Sequence, residues 1–298
     1  MQDLKGKTAF ITGAASGIGL GMARAFGRAG MNVVVADIDR AAAGKAAAQL
    51  VSEQIKAHPV QVDVAQRDGL RAAALETIAT FGKVHLVCNN AGVALGAPIG
   101  SLTDQDWDWI IDVNLKGVVY GVETFVPLIA SHGEGGHIVN TASIAGLVSG
   151  PGTEPYSATK YAVVAMSEGW AGQLAPQGIG MSVLCPGYVR TQIIDSVRTR
   201  QDRYGGVGQA TFGQSPERTQ AVRASIQSGI DPDIVGERVL EGVTAGDLYI
   251  FTDPRFEAIV EMRFAAIRAG FAAAAASPAL ASVKDWGPLF TPPAGERR

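Results

Sequence analysis

Lys7-Thr8-Ala9-Phe10-Ile11-Thr12-Gly13-Ala14-Ala15-Ser16-Gly17-Ile18-Gly19 begins as a run of strand character and ends in a turn that carries three glycines. Glycines let backbone approach a diphosphate closely. A helix that starts there turns N–H groups and a positive dipole end toward the phosphate charge. The helix is expected to run to about Ala29, followed by a second strand, Asn32–Ala36, that ends on Asp37. Strand, glycine turn, helix, strand and terminal acid make a βαβ unit suited to a dinucleotide. The spacing G-x-x-x-G-x-G departs from the general G-x-G-x-x-G fingerprint, so the turn alone is as readily plain turn chemistry. Asp37 at the end of the second strand tips the balance.

Asp37 also bears on which dinucleotide fits. A carboxylate there binds both ribose hydroxyls and repels a 2′-phosphate. Ser16 and Ile38 are neutral, Asp39 adds negative charge, and Arg40 is placed to open the next helix. NAD is therefore favoured over NADP.

The alternation continues outward from this unit. Further strands are expected at Pro59–Val62, Val84–Cys88, His137–Thr141, Met181–Cys185 and Leu248–Phe251. Helices are expected at about Ala41–Lys56, Arg67–Phe81, Asp104–Ala130 and Ser157–Leu174, and from Pro254 onward. This pattern predicts an α/β fold: a Rossmann-type, doubly wound parallel sheet of about seven strands with helices on both faces. No boundary signal divides the chain, so a single domain over residues 1–298 is expected. Two regions break the regularity. Residues 191–229 hold Arg198, Arg200, Arg203, Arg218 and Arg223 with Gly205, Gly206, Gly208 and Gly213, and read as a lid over the site. Residues 254–298 read as a C-terminal helix and an irregular tail with Pro278, Pro288, Pro292 and Pro293. Trp286 and Phe290 in that tail suggest that it docks on another surface.

Composition narrows the function classes. The chain has 298 residues, 47% hydrophobic and 18% charged, with a net charge of −3. Slight acidity without a basic run argues against a nucleic-acid partner. Cys88 and Cys185 each end an apolar run and read as small buried hydrophobes, so a disulfide framework is not expected and a reducing cytoplasm fits. Met1-Gln2-Asp3-Leu4 lacks the character of a signal peptide, and no run of membrane-spanning hydrophobicity is evident. His58, His85, His132 and His137 show no metal-ligand spacing, so no metal is expected.

Chemistry concentrates in the later strand ends. Tyr156 and Lys160 are four apart on a helical stretch, so their side chains stack on one face a turn apart. A phenol is a poor base at neutral pH. An ammonium beside it stabilises the phenolate and favours proton transfer. Ser143 precedes Tyr156 by thirteen positions, and Gly146, Gly150, Pro151 and Gly152 let the chain turn back so that both share one substrate oxygen. Alone, the Y-x-x-x-K spacing is usually a surface pair.

Jointly, these pieces resemble the short-chain dehydrogenase/reductase family, in its single-domain branch. The matching pieces are Thr12-Gly13-x-x-x-Gly17-Ile18-Gly19, Asp63-Val64, Asn89-Asn90-Ala91-Gly92, Asn114, Ser143, Tyr156-x-x-x-Lys160 and Pro186-Gly187-x-Val189-x-Thr191, in family order over about residues 5–251. The resemblance implies that Gly13, Ser16, Gly17, Ile18 and Gly19 hold the pyrophosphate and Asp37 the adenosine ribose. Asp63 and Val64 would flank the adenine, and Asn90 and Gly92 would support the cofactor from the fourth strand. Pro186, Gly187, Val189 and Thr191 would complete the set, the last two at the nicotinamide amide. Tyr156 would be the acid/base and Ser143 its hydrogen-bonding partner on the substrate oxygen. Lys160 would bind the nicotinamide ribose and lower the phenol pKa. Asn114 would bend its helix and hold a water that links Lys160 to solvent.

The implied activity is hydride transfer between a secondary alcohol, or its ketone, and NAD. Val93, Ala94, Leu95, Ile144, Leu147, Val148, Tyr188, Ile193 and Ile194 suggest apolar walls and a bulky hydrophobic or aromatic substrate, while lid arginines leave a carboxylate-bearing one open. Asp106-Trp-Asp-Trp-Ile-Ile, Thr124-Phe-Val-Pro127 and Leu248-Tyr-Ile-Phe251 are similar to a sub-branch that oxidises benzylic alcohols of lignin-derived aryl ethers. Two alternatives stay open: an NAD(P)H-dependent ketoreductase, and a catalytically silent nucleotide-binding scaffold. Family habit implies a homodimer or homotetramer, and Ala158, Ala162, Ala165 and Ala171 would permit close helix approach.

Overall fold

Among the described residues, the strands β1 (Thr8–Thr12), β2 (Asn32–Asp37), β3 (Ala57–Gln61), β4 (Leu86–Asn89), β5 (Gly136–Thr141), β6 (Ile179–Cys185) and β7 (Tyr249–Phe251) form one parallel sheet. Their order is β3-β2-β1-β4-β5-β6-β7, which reverses direction between β1 and β4. That reversal opens the crevice where ligands bind in doubly wound sheets. The coordinates are a computed structural model describing residues 1–207 and 216–287. Gly208 and Gly213 of the expected lid, and Pro288, Phe290, Pro292 and Pro293 of the tail, lie outside the described residues.

Both faces of the sheet are covered, which is why its strands are nearly continuous apolar runs. Ala9 and Ile11 point into one core, with α1 (Gly17–Arg28), α2 (Arg40–Ser52) and α8 (Pro232–Ala245). Phe10 points into the other, with α3 (Arg67–Phe81), α4 (Asp104–Ile111) and α5 (Gly117–His132). Beside β5 and β6, a smaller cluster packs under α6 (Glu154–Leu174). Phe10, Phe26, Trp109 and Phe125 are fully buried, and each such side chain stabilises the fold by about 2–3 kcal/mol. Cys88 and Cys185 are free and buried, as their apolar settings suggested.

Several boundaries differ from the sequence reading, each for a local reason. The helix expected at Ala41–Lys56 stops at Ser52, because Gln54 takes a positive φ of 64° that turns Ile55 back onto α1. The single helix expected over Asp104–Ala130 is two helices joined by a π-helical turn, Asp112–Lys116. A capping box between Thr103 and Asp106 starts the first of them. The helix α8 was not anticipated. Its signals were Asp231, which caps it, and Pro232 in its first turn. A Cβ on Gly21 of α1 would lie 2.1 Å from the Pro232 carbonyl oxygen, so only glycine lets the two backbones meet.

The expected excursion holds short 3-10 turns at Ile193–Thr199 and Asp202–Tyr204, then α7 (Pro216–Gln227). The run Asp104–His132 is long and apolar enough to cross a membrane by composition. It is nevertheless broken by the π turn, and Trp109, Ile110, Phe125 and Ile129 bury its apolar face in the core. The chain forms two compact units, Met1–Pro254 and Arg255–Arg298. In the second, α9 (Glu257–Ala275) buries no side chain, and Met262 and Phe271 are 72% and 74% exposed. Trp286 is exposed as well.

Candidate active site

The βαβ turn is shaped by its glycines. Gly13 and Gly17 have φ of 64° and 55°, which side chains with a Cβ rarely adopt. A Cβ on Gly19 would meet the Gly13 carbonyl oxygen at 2.3 Å, so the helix can begin that close to the turn only with glycine there. Ser16 occupies the N-cap of α1 without a side-chain cap bond, and no acid lies in the first turn. At the end of β2, the Asp37 carboxylate accepts N–H bonds from Ala15 and Asp39, both at 3.1 Å. Burial pushes its pKa up, the neighbouring Asp39 charge adds to that, and the backbone N–H bonds oppose both. A cradle without side chains, an uncapped helix start and an acid tied to the glycine turn fit a dinucleotide with free ribose hydroxyls.

The ends of β1, β4 and β5 are stitched together next to this cradle. Thr12 Oγ1 accepts the N–H groups of Asn90 and Ala91, at 2.9 and 3.0 Å. Asn90 Nδ2 donates to the Thr12 carbonyl at 2.9 Å, and the Thr141 hydroxyl donates to Asn90 Oδ1 at 3.2 Å. Asn90 therefore braces three strand ends. Thr191 reaches the glycine turn, since its Cγ2 lies 3.1 Å from where a Cβ on Gly17 would be. The Pro186 carbonyl accepts the Ile144 N–H, and Gly187 N–H donates to Thr252 Oγ1, fixing the chain after β6 against the Ser143 loop.

Ser143 follows β5, while Tyr156 and Lys160 lie on the first turns of α6. Lys160 is 3% exposed, donates to the Thr141 carbonyl at 2.8 Å, and sits 5.5 Å from the centre of the Tyr156 ring. Burial lowers its pKa to about 8, so much of the ammonium persists at neutral pH. Burial raises the Tyr156 pKa, a hydrogen bond from Ser143 opposes it, and the Lys160 ammonium lies over the ring.

Asn114 lies in the π turn and is completely buried. Its Oδ1 accepts the Val93 N–H at 2.8 Å, and its Nδ2 donates to the Val93 carbonyl at 2.8 Å and to Thr159 Oγ1 at 3.3 Å. The helix distortion that was expected is present, with the amide clamping the loop residue that follows Gly92. A Cβ on Gly92 would lie 3.3 Å from Asn114 Oδ1 and 3.6 Å from Lys160 Nζ, so these two groups flank it.

The family model for short chain dehydrogenases matches residues 7–202. The chain belongs to the short-chain dehydrogenase family. It is 38% identical over 268 residues to C alpha-dehydrogenase of Sphingobium sp., covering 90% of this chain and 87% of that one. Cyclohexanol dehydrogenase of Acinetobacter sp. is 40% identical over 63% of this chain and 75% of its own. A Burkholderia phymatum short chain dehydrogenase/reductase, solved in complex with NAD, superposes with a TM-score of 0.86 at 35% identity, covering 91% of this chain and 97% of that one. This short-chain dehydrogenase is thus an oxidoreductase-family enzyme with alcohol dehydrogenases among its relatives.

Some residues of this dehydrogenase play parts that sequence reasoning did not give them. Val93 and Leu95, expected as apolar wall, are core side chains packed with Trp109. Ile144, Leu147 and Val148 stay half-buried beside Ser143. The lid arginines pair with protein groups: Arg200 with Asp106, Arg203 with Asp63, and Arg223 with Asp195, while Arg198 donates to two carbonyls. Those pairings weaken the case for a carboxylate-bearing substrate. His85, His132 and Glu134 also come together, at the starts of the strands, far in sequence from the nucleotide turn. Their nitrogens are engaged with Thr8 N–H, Glu134 and the Val84 carbonyl, which makes the cluster a structural clip.

Proposed function

We propose that this enzyme oxidises a bulky hydrophobic or aromatic secondary alcohol with NAD, using Tyr156 as the proton acceptor. The observation that carries the reading is the grouping of Ser143, Tyr156 and buried Lys160 after β5, beside a glycine cradle and Asp37. Gly13, Ser16, Gly17, Ile18 and Gly19 would hold the pyrophosphate, Asp37 the adenosine ribose, and Val189 and Thr191 the nicotinamide end. NAD, when bound there, supplies the acceptor for the hydride leaving the carbinol carbon. Tyr156 takes the hydroxyl proton onto its phenol oxygen. The Ser143 hydroxyl hydrogen-bonds the same substrate oxygen as its charge develops. Lys160 keeps positive charge near the phenolate in a water-poor setting, where it acts more strongly than in solvent. Asn114 fixes the loop that carries Gly92, against which Lys160 is positioned. The half-buried Ile144, Leu147 and Val148 support an apolar substrate, consistent with a benzylic alcohol.

Exposed Ala158, Ala165, Gly169 and Gly172 on α6 support self-association through that helix. Light scattering would test it.

Tyr156→Phe is expected to lower kcat by about a thousandfold while NAD affinity stays within severalfold. A Phe variant with ordinary turnover would overturn the mechanism. Following the reduction of NAD and of NADP across aryl, steroid and aliphatic secondary alcohols tests the substrate and cofactor together. Faster NADP reduction would refute the reading of Asp37.

A further inference from the structure

The segment after Thr191 crosses the mouth of the crevice and is fastened on its far side. Ser196 Oγ accepts the Ala94 N–H at 3.0 Å, which holds the segment to the loop after β4. Arg200, 9% exposed, pairs with Asp106, donates to the Tyr204 carbonyl at 2.8 Å, and lies 5.3 Å from the Trp109 ring. Tyr204, 5% exposed, donates its hydroxyl to Asp112 Oδ2 at 2.7 Å. The last contact is the farthest out. Arg203 donates to Asp63 Oδ2 at 2.6 Å, joining this segment to the loop that follows β3.

Asp63 stands just beyond the carboxyl end of β3, the strand that neighbours β2 and Asp37. If the ribose lies at Asp37, the base extends toward the β3 side of the crevice, so the Arg203–Asp63 pair spans that end. Asp63 Oδ1 takes the Ala65 N–H, and Oδ2 takes the guanidinium. The Arg203 guanidinium already lies 4.5 Å over the Tyr204 ring, a stacking geometry its planar fork also allows with a purine. Both partners keep some solvent exposure, 36% for Arg203 and 19% for Asp63, so the pair can open without unpacking the core.

We propose that Arg203 and Asp63 form a clasp over the adenosine end of the dinucleotide: it opens to admit the base and closes behind it, making Arg203 a cofactor-retaining residue. This rests on the NAD reading above. The clasp explains why a segment beginning beside the nicotinamide end, at Thr191, reaches the opposite end of the cofactor at Arg203. It also gives Arg203 a task that a substrate-binding arginine could not share, because its partner is Asp63.

The test compares ligands that contain different halves of NADH. Arg203→Ala is expected to raise the NADH dissociation rate in stopped-flow fluorescence about five- to tenfold. It should weaken ADP-ribose by a similar factor and leave competitive inhibition by nicotinamide mononucleotide unchanged. Arg203→Lys should recover only part of the loss, since it restores charge without the planar fork. Paired with Asp63→Asn, the two losses should be less than additive. Equal weakening of mononucleotide and ADP-ribose would make Arg203 a general structural support, and an unchanged NADH dissociation rate would remove the clasp; either result overturns the proposal. If the unaltered enzyme bound neither NADH nor ADP-ribose, the NAD reading itself would fall, whereas normal NADH binding with no Arg203 effect would sink the clasp alone.

Discussion

Two walls of the same crevice are built from different materials. The inner wall, at the ends of β1, β4 and β5 and the start of α6, is held by buried side-chain and backbone hydrogen bonds: Thr12 to Asn90, Asn90 to Thr141, Lys160 to Thr141, Asn114 to Val93. The outer wall, residues 191–207, is held mainly by charge, through Arg200–Asp106, Arg203–Asp63 and Arg223–Asp195. Buried hydrogen bonds are costly to break, because each unpaired group keeps its full desolvation penalty. Arg200–Asp106 is buried and anchors the outer wall, whereas the exposed pairs Arg203–Asp63 and Arg223–Asp195 contribute little net energy and exchange readily with water. Proton transfer needs fixed geometry, and ligand exchange needs something that lets go; the two walls divide these demands.

The strongest way to break this contrast is to disturb the buried charge. Lys160→Met is expected to lower kcat by about a hundredfold or more. It should also change the pH profile. Burial brings the Lys160 pKa to about 8, and if its charge offsets the phenolate, the form of the pair that has lost one proton appears as pH rises through about 8. Oxidation by the unaltered enzyme should therefore increase through that pH. In the Met variant the rise should move upward, toward the phenol's own pKa, which burial raises. An unmoved profile would mean that Lys160 does not share the titration.

A second, smaller effect is thermodynamic. Asn114→Ala strips both bonds from the Val93 backbone and leaves those groups buried. Urea unfolding should show a loss of about 2–4 kcal/mol. A loss below about 0.5 kcal/mol would mean that the inner wall does not depend on this amide.

The smallest effect belongs to the outer wall. Arg223 and Asp195 are both partly exposed, and Arg223→Gln should change global stability by less than about 1 kcal/mol. Amide exchange over residues 193–204 should quicken while the sheet amides stay slow. Equal quickening in the sheet would show that the two walls unfold as one.

What the sequence made legible follows the same division. The βαβ turn, the strand order of chemistry and the Arg67–Phe81 helix were readable because their signals are local: periodicity, glycine spacing, a terminal acid. The grouping of Ser143, Tyr156 and Lys160 was readable because the four-residue spacing stacks two of them on one helix face and the glycine-rich turn before that helix brings the third back to them. The outer wall was not. Arg200 finds Asp106 across 94 residues and Arg203 finds Asp63 across 140, and no spacing rule pairs charges at that range. The rise in the Tyr156 pKa was hidden for a similar reason, since it depends on how deeply other segments bury the phenol. The helix α8 could have been found from Asp231-Pro232, a cap followed by a proline in the first turn.

The π turn at Asp112–Lys116 carries a consequence for how this enzyme tolerates lengthening and shortening. A π turn houses one residue more than an α turn of the same span. Deleting one residue there would let α4 and α5 fuse into an unbroken helix, so the loss has a low-strain route into regular structure. Because the lost residue is the extra one, the two flanking helices would keep their faces, and only the side chains within the turn would be re-aimed. Asn114 would leave Val93 and Asp112 would leave Tyr204, while Asp106 would stay with Arg200. At this one point in the chain, the count of residues that best suits a helix and the count that suits the crevice differ by one.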